Sequence, residues 1–212
     1  MRTLSPPQFA GATSLSALAG YVDAIAFIYL GGFFVSFMSG NTTVGSVELV
    51  QGGDWGTAFA IVGAFVVGVM AGTVVSRARS GSAAWVLSLV AVLLLAGTLL
   101  SGTGIPIVFP ALLISAGMGA VNTVFARDGQ PALGLTYMTG ALVKMAQELV
   151  SAFTGGSRTA WLRQFALWLA IAIGAIAGAA AYGWLGITAM WLAVAVAVIA
   201  VVVTAASRRR TR

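Results

Sequence analysis

The chain carries few side chains suited to chemistry, and three carboxylates in or beside apolar runs stand out: Asp23, Glu48 and Glu148. Asp23 interrupts an apolar run over 8–30, where a buried carboxylate costs about 3 kcal/mol at the centre of a membrane helix. That cost must be offset. Functionally, Asp23 could be a protonatable coupling site or a cation ligand. Structurally, it could accept hydrogen bonds from Asn41, Thr42 or free backbone N–H groups. The sequence leaves both roles open.

A run of small polar residues follows the first apolar stretch and contains Ser39, Gly40, Asn41 and Thr42. We expect a helix to break at Ser39 to Asn41, because glycine permits unusual backbone angles and Asn or Ser caps helices well. A half-helix starting near 41–43 would direct free N–H groups at the break, and such an end can hold an anion or a polar solute. We predict a substrate site here. The alternative is an ordinary loop followed by a surface helix.

The same pattern occurs a second time, 100 residues later. This shift aligns SFMSGNTTVGSVELV at 36–50 with TYMTGALVKMAQELV at 136–150, and a shift of 99 pairs Asp23 with Asn122. Thr139 and Gly140 therefore extend the predicted substrate site together with Asn122. GVMAG at 68–72 has its counterpart in GAIAG at 174–178. Three matches in one order favour duplication, and we predict two repeats, residues 1–103 and 104–212.

Glu48 and Glu148 occupy equivalent positions, each about two helical turns after the glycine of its repeat. As pathway or coupling groups, together with Asp23 and Lys144, they would lie at opposite mouths of one route. Solvated structural roles are the alternative. Lys144 precedes Glu148 by four residues and can form a modest surface ion pair with it.

Composition identifies the environment of these residues. The chain is 59% hydrophobic and 8% charged, against about 25% charged in soluble domains. Cysteine and histidine are absent, which removes thiol and imidazole chemistry and the usual ligands of zinc, haem and iron–sulfur clusters. We expect no cofactor, no metal and no enzymatic activity. Stretches of about 20 apolar residues predict six membrane spans, at 8–30, 55–76, 83–102, 104–126, 164–186 and 187–206.

Charge distribution predicts how these spans are oriented. If the interrupted segments 32–53 and 132–153 dip into the membrane without crossing it, all eleven positive charges lie on one side. If both segments cross, there are eight spans, and Arg77, Arg79 and Arg127 fall outside. The positive-inside rule favours six spans, inverted repeats and cytoplasmic termini. The dipping segments would then face each other across a polar cavity.

The two ends of the chain fit this plan. We interpret 8–30 as a permanent span rather than a cleaved signal peptide, because its apolar run is long and contains Asp23. The arginines at the C-terminus suit anionic lipid, and we expect no nucleic-acid partner.

The quoted motifs resemble a known family. GYVDAIAFIYLGGFFVSFMSGNT at 20–42, GMGAVNTVFAR at 117–127 and TYMTGALVKMAQEL at 136–149 are similar to sequences of the YoaK family of bacterial inner-membrane proteins, whose domain has no assigned function. The resemblance implies a polytopic protein of about six helices in the inner membrane, and it carries over no catalytic residues.

The leading hypothesis is a transporter or channel that holds a small solute or ion at the helix breaks. A non-transporting membrane assembly or accessory protein is the alternative. An intramembrane enzyme fits less well, because the chain has no Ser–His or Cys–His arrangement and no pair of aspartates on neighbouring spans. The G-x-x-x-G patterns beginning at Gly68 and Gly174 suit close packing within the subunit and also a homodimer.

Overall fold

The computed structural model describes residues 5–79, 83–127, 130–131, 136 and 138–209. The described chain is almost entirely helical, which confirms the all-α prediction. The helices are α1 (Pro6–Tyr29), α2 (Met38–Gln51), α3 (Trp55–Ala78), α4 (Ala83–Leu100), α5 (Val108–Val121), α6 (Met138–Phe153), α7 (Trp161–Leu185) and α8 (Met190–Arg209). A 3-10 turn, Gly186–Ala189, joins α7 to α8. Two short antiparallel strands, β1 (Ala126–Arg127) and β2 (Gln130–Pro131), form the exception.

Four stretches of the described chain are long and apolar enough to cross a membrane: Pro6–Tyr29, Trp55–Ala78, Ala83–Leu100 and Trp161–Ser207. The last contains α7 and most of α8. Helix α5 is shorter than the predicted span at 104–126, because Gly104 adopts a left-handed φ of 79° and regular α-helix ends before Asn122. Its 14 residues rise about 21 Å, against about 30 Å of hydrocarbon.

Glycines allow the closest helix contacts. The backbone of Gly20 in α1 lies against the Ile171 carbonyl in α7, and Gly178 lies against the Tyr21 carbonyl. Residue numbers rise together along this contact, so α1 and α7 run parallel. Helices α3 and α5 form the matching contact, with Gly119 against the Phe65 carbonyl. The G-x-x-x-G glycines are buried between helices of one subunit, as expected where small residues let backbones approach.

The direction of α5 follows from two contacts. Gly97 near the end of α4 lies against Pro110 near the start of α5, and Gly117 later in α5 lies against Leu93 earlier in α4, so these helices are antiparallel. One small crevice is lined by Ile25 from the end of α1, Pro110 from the start of α5 and Met190 from the start of α8. Helices α1 and α5 therefore run in opposite directions.

The two shorter segments pack on the outside of these pairs. Helix α2 lies on α3, and α6 lies on α7. Gly45 faces Ala58 and Phe59 in the α2–α3 contact. The apolar core draws on α1, α4 and α5 among other helices, with Val22, Leu94 and Met118 among its fully buried side chains.

Candidate functional site

Asp23 holds the chain that leads into α2. Its Oδ1 accepts hydrogen bonds from the backbone N–H groups of Val35, at 2.9 Å, and Ser36, at 2.7 Å. Its Oδ2 accepts the Ser36 hydroxyl at 2.6 Å. The side chain is half-buried. Hydrogen bonds to an ionised carboxylate are roughly twice as strong as neutral ones. The carboxylate thus offsets its burial through the free N–H groups ahead of α2, one of the two roles that the sequence left open.

Asn41 fixes the same loop from the other side. It is fully buried; its Oδ1 accepts from the Phe34 N–H at 2.8 Å, and its Nδ2 donates to the Phe34 carbonyl at 2.6 Å. Both polar groups of this amide are therefore bonded to the backbone of its own chain. Asn41 therefore binds the loop over residues 30–37, where the sequence predicted a substrate ligand.

The predicted position of the helix break is wrong. Helix α2 begins at Met38, so Ser39 to Asn41 lie in its first turn and the break precedes them. The chain leaves α1 at Gly31 and Gly32, whose φ angles of 71° and 119° are in the region that favours glycine. This pair, rather than the later polar run, ends the first helix.

The other predicted ligands on α2 make local contacts or face outward. Ser39 and Thr42 are exposed, and the Thr42 hydroxyl donates to the Met38 carbonyl of its own helix at 2.9 Å. Gly40 lies beneath the rings of Phe34 and Phe37, which an added Cβ would strike. No hydrogen bond described here joins these three residues to Asp23.

The second half repeats the Asp23 arrangement with weaker bonds. Asn122 Oδ1 accepts the Thr136 N–H at 3.4 Å and the Thr136 hydroxyl at 3.3 Å, while its Nδ2 donates to the Met118 carbonyl at 3.0 Å. On α6, Thr139 is exposed and Gly140 is half-buried. Residues 132–135 and 137 of the predicted segment lie outside the described residues.

Ser36 and Thr136 are site residues that the sequence reasoning missed. They are the first letters of the two aligned stretches, a hydroxyl in each copy. That match, together with the pairing of Asp23 and Asn122, could have indicated that Ser36 and Thr136 belong to the site.

The remaining ionisable candidates are scattered. The half-buried Glu48 places its carboxylate against Gly53 in the turn between α2 and α3. Glu148 and Lys144 are half-buried on α6, and Glu148 Oε2 is buried with no hydrogen-bond partner among the described residues. Within those residues, no group of three or more acidic side chains could hold a metal ion.

Asp54 lies outside the spans and has an ordinary structural role. It is the N-cap of α3 and accepts the Thr57 N–H at 3.1 Å. Hydrogen bonding to Thr57 lowers the pKa of the Asp54 carboxyl below its usual 3.8. This acid is therefore a useful contrast to Asp23.

The crevice beside the Asp23 loop is apolar, although the sequence predicted a polar cavity. Ile25, Val35 and Met190 contribute to its lining, and all three are almost fully buried. Asp23 and Asn122 are not among the residues that line this crevice. They lie at the ends of α1 and α5, with core side chains such as Val22 and Met118 packed in the interior.

Long apolar helices and internally hydrogen-bonded polar side chains define a multi-pass helical membrane protein. The comparisons with known proteins agree. A family model described as "Protein of unknown function (DUF1275)" matches residues 11–203, and the chain belongs to this family. A UPF0700 transmembrane protein of Rhizobium meliloti (strain 1021) is 38% identical over 166 residues, which cover 77% of this chain and 71% of the relative. No solved structure matches. The predicted YoaK-like membership is confirmed.

Proposed function

We propose that this protein transports a small solute or ion across the inner (plasma) membrane by alternating exposure of two inverted halves. One observation carries the proposal. Asp23 near the end of α1 and Asn122 at the end of α5 each hold the chain that leads to a short helix, and α1 and α5 run in opposite directions. Paired, oppositely oriented segments of this kind are a common plan in secondary transporters.

The helix directions also favour six crossings over eight. With six, α1 and α5 are antiparallel, whereas eight crossings would make them parallel. The crevice that joins the end of α1 to the start of α5 supports the antiparallel arrangement. The segments 32–53 and 132–153 then dip and return, and both termini are cytoplasmic.

A carrier fits the interior better than a channel does. The core around Val22, Leu94 and Met118 is fully buried and apolar, so a solute can pass only when helices separate. An apolar lining also favours a solute of low polarity, because transferring an unpaired polar group into such surroundings costs several kcal/mol.

Flux into liposomes tests the activity. Purified protein is reconstituted and exposed to a metabolite mixture, and the trapped contents are identified by mass spectrometry. We expect at least one solute to accumulate above protein-free vesicles, and Asp23→Asn to alter its rate or pH dependence. Asp54→Asn is the matched control, since it changes a carboxylate at an exposed cap. Absence of flux for every solute screened would remove the proposal.

Cysteine labelling tests the inversion separately. The chain has no native cysteine. Ser46 and Ala146 are exposed at equivalent positions of α2 and α6. We expect Ser46→Cys and Ala146→Cys to react with an impermeant maleimide from opposite faces of the membrane. Labelling from the same face would contradict inverted repeats.

A membrane assembly or accessory protein is the second candidate. It is favoured because the polar atoms of Asp23 and Asn41 form hydrogen bonds with the loop of their own chain. Such a protein would show no flux and would co-purify from native membranes with a larger partner. We propose no enzymatic activity, cofactor or nucleic-acid partner. A homodimer would have to use a surface other than the G-x-x-x-G faces, which are buried within the subunit.

A further inference from the structure

The helices divide into two triplets and a central pair. Helices α2, α3 and α5 form one triplet, in which α3 packs on both others. Helices α6, α7 and α1 form the equivalent triplet around α7. We call helices α4 and α8 the central pair, because they pack on each other and contact both triplets. Each triplet therefore takes one helix from the other half of the sequence.

The central pair packs unequally on the two triplets. Helix α4 packs extensively on α5 of the first triplet, whereas the equivalent contact, α8 with α1, is slight. The α1 triplet also meets α5 only marginally. One direct tie at this boundary is the Tyr21 hydroxyl, which donates to the Ala189 carbonyl at 2.9 Å. The small apolar crevice opens at the same boundary, between Ile25 and Met190.

The two polar attachments cross between the triplets. Asp23 belongs to α1 and binds the chain that leads into α2. Asn122 ends α5 and binds Thr136, which precedes α6. The Asp23 bonds are short and made by a carboxylate, and the Asn122 bonds are at the weak limit of hydrogen-bond geometry. The stronger of the two attachments, that of Asp23, therefore lies beside the boundary at which the helices pack least closely.

We propose that α1, α6 and α7 move as one body against the other five helices, and that the Asp23–Ser36 contact is the lock on this movement. Asp23 acts as a positioning residue. The inference rests on the proposed function, because the motion opens the loose boundary between α1 and α8 while the contact between α4 and α5 stays closed. Helices α1, α6 and α7 are then the part of the protein that moves during alternating exposure.

Two buried cysteines report this motion in purified protein. Ile25 and Val90 are both fully buried; Ile25 faces the loose boundary, and Val90 lies in the tight contact between α4 and α5. Each is replaced by cysteine, and alkylation by N-ethylmaleimide is followed by mass spectrometry. We expect Ile25→Cys to react at least tenfold faster than Val90→Cys.

Substitutions that remove the lock form the second part of the alkylation experiment. Asp23→Ala should raise the alkylation rate of Ile25→Cys by about tenfold or more, as expected for loss of a hydrogen bond to a charged group, and leave Val90→Cys unchanged. Asp23→Asn keeps an acceptor and should give a smaller rise. Ser36→Ala, which removes one bond of the three, covers the case in which Asp23→Ala fails to fold.

Equal rates at the two cysteines in the native protein would overturn the inference. A parallel rise at both in the Asp23 and Ser36 variants would also overturn it, because that is general loosening. Alkylation reports the motion whether or not a solute is carried. Selective labelling without flux would therefore remove only the transport proposal, and flux without selective labelling would remove only the moving body.

Discussion

The glycine contacts between parallel helices permit a quantitative test of the packing. A Cβ added at Gly20 would collide with the Ile171 carbonyl and come within 3.1 Å of the Ala175 nitrogen. These obstacles are backbone atoms, so α1 and α7 must separate to admit a methyl group. Overpacking of this kind costs about 1–3 kcal/mol.

Gly63 provides the control, because it lies inside α3 with nothing within 4 Å of an added Cβ. Replacing a helical glycine by alanine gains about 1 kcal/mol of helix propensity at either position. We therefore expect Gly63→Ala to have an unchanged or slightly higher free energy of unfolding. The free energy of unfolding of Gly20→Ala should be about 1–3 kcal/mol lower than that of Gly63→Ala. A chain of this size shifts its Tm by about 2–4 °C per kcal/mol.

The assay is thermal unfolding in detergent, followed by circular dichroism and by recovery of monodisperse protein on gel filtration. Gly119→Ala should lose as much stability as Gly20→Ala, since its Cβ would meet the Phe65 carbonyl in the same way. If Gly20→Ala and Gly63→Ala melt at the same temperature, the close α1–α7 contact is refuted, together with the helix pairing that depends on it.

Two further substitutions test the polar anchors. Asn41→Ala removes both hydrogen bonds to the half-buried Phe34 backbone and should cost about 1–3 kcal/mol, whereas Thr42→Ala at an exposed site should change the melting temperature little; equal effects would show that the anchor is unimportant. Asp54→Ala should lower the Tm by a constant amount between pH 5 and 8. The pKa of Asp54 is lowered in the folded state by Thr57, so its contribution is lost as the pH falls below 3.8 through the folded pKa, and a difference that persists at pH 2 would contradict this role.

The sequence predicted the main elements because membrane helices depend on a simple physical requirement, the length of apolar chain. It also paired Asp23 with Asn122 through the repeat, and both prove to hold the chain ahead of a short helix. It misplaced the break before α2, because composition drew attention to Ser39 and Asn41 while the backbone turns at Gly31 and Gly32. The positive φ angles of these two neighbouring glycines cannot be predicted from residue type alone, because glycines inside helices are the same residue.

The role of Asn41 could not be assigned from the sequence, and the reason is general. A buried amide in a membrane protein can bind a guest or bind the chain's own backbone, and the sequence is identical in both cases. The geometry adds what the sequence lacks: both polar groups of the Asn41 side chain bond to the backbone of Phe34. The equivalent residue in the second half is Ala141, which has no polar side chain to form such an anchor.

Helix pairing could not be derived from hydropathy, because apolar residues surround most of these helices and any face could meet any other. Small residues carry the missing information. Gly68 and Gly174 are aligned in the two halves, and each meets a helix from the opposite half, at Ala116 and Ala17 respectively. The halves are thus interleaved through α1 and α5, and neither can bury its glycine face without the other.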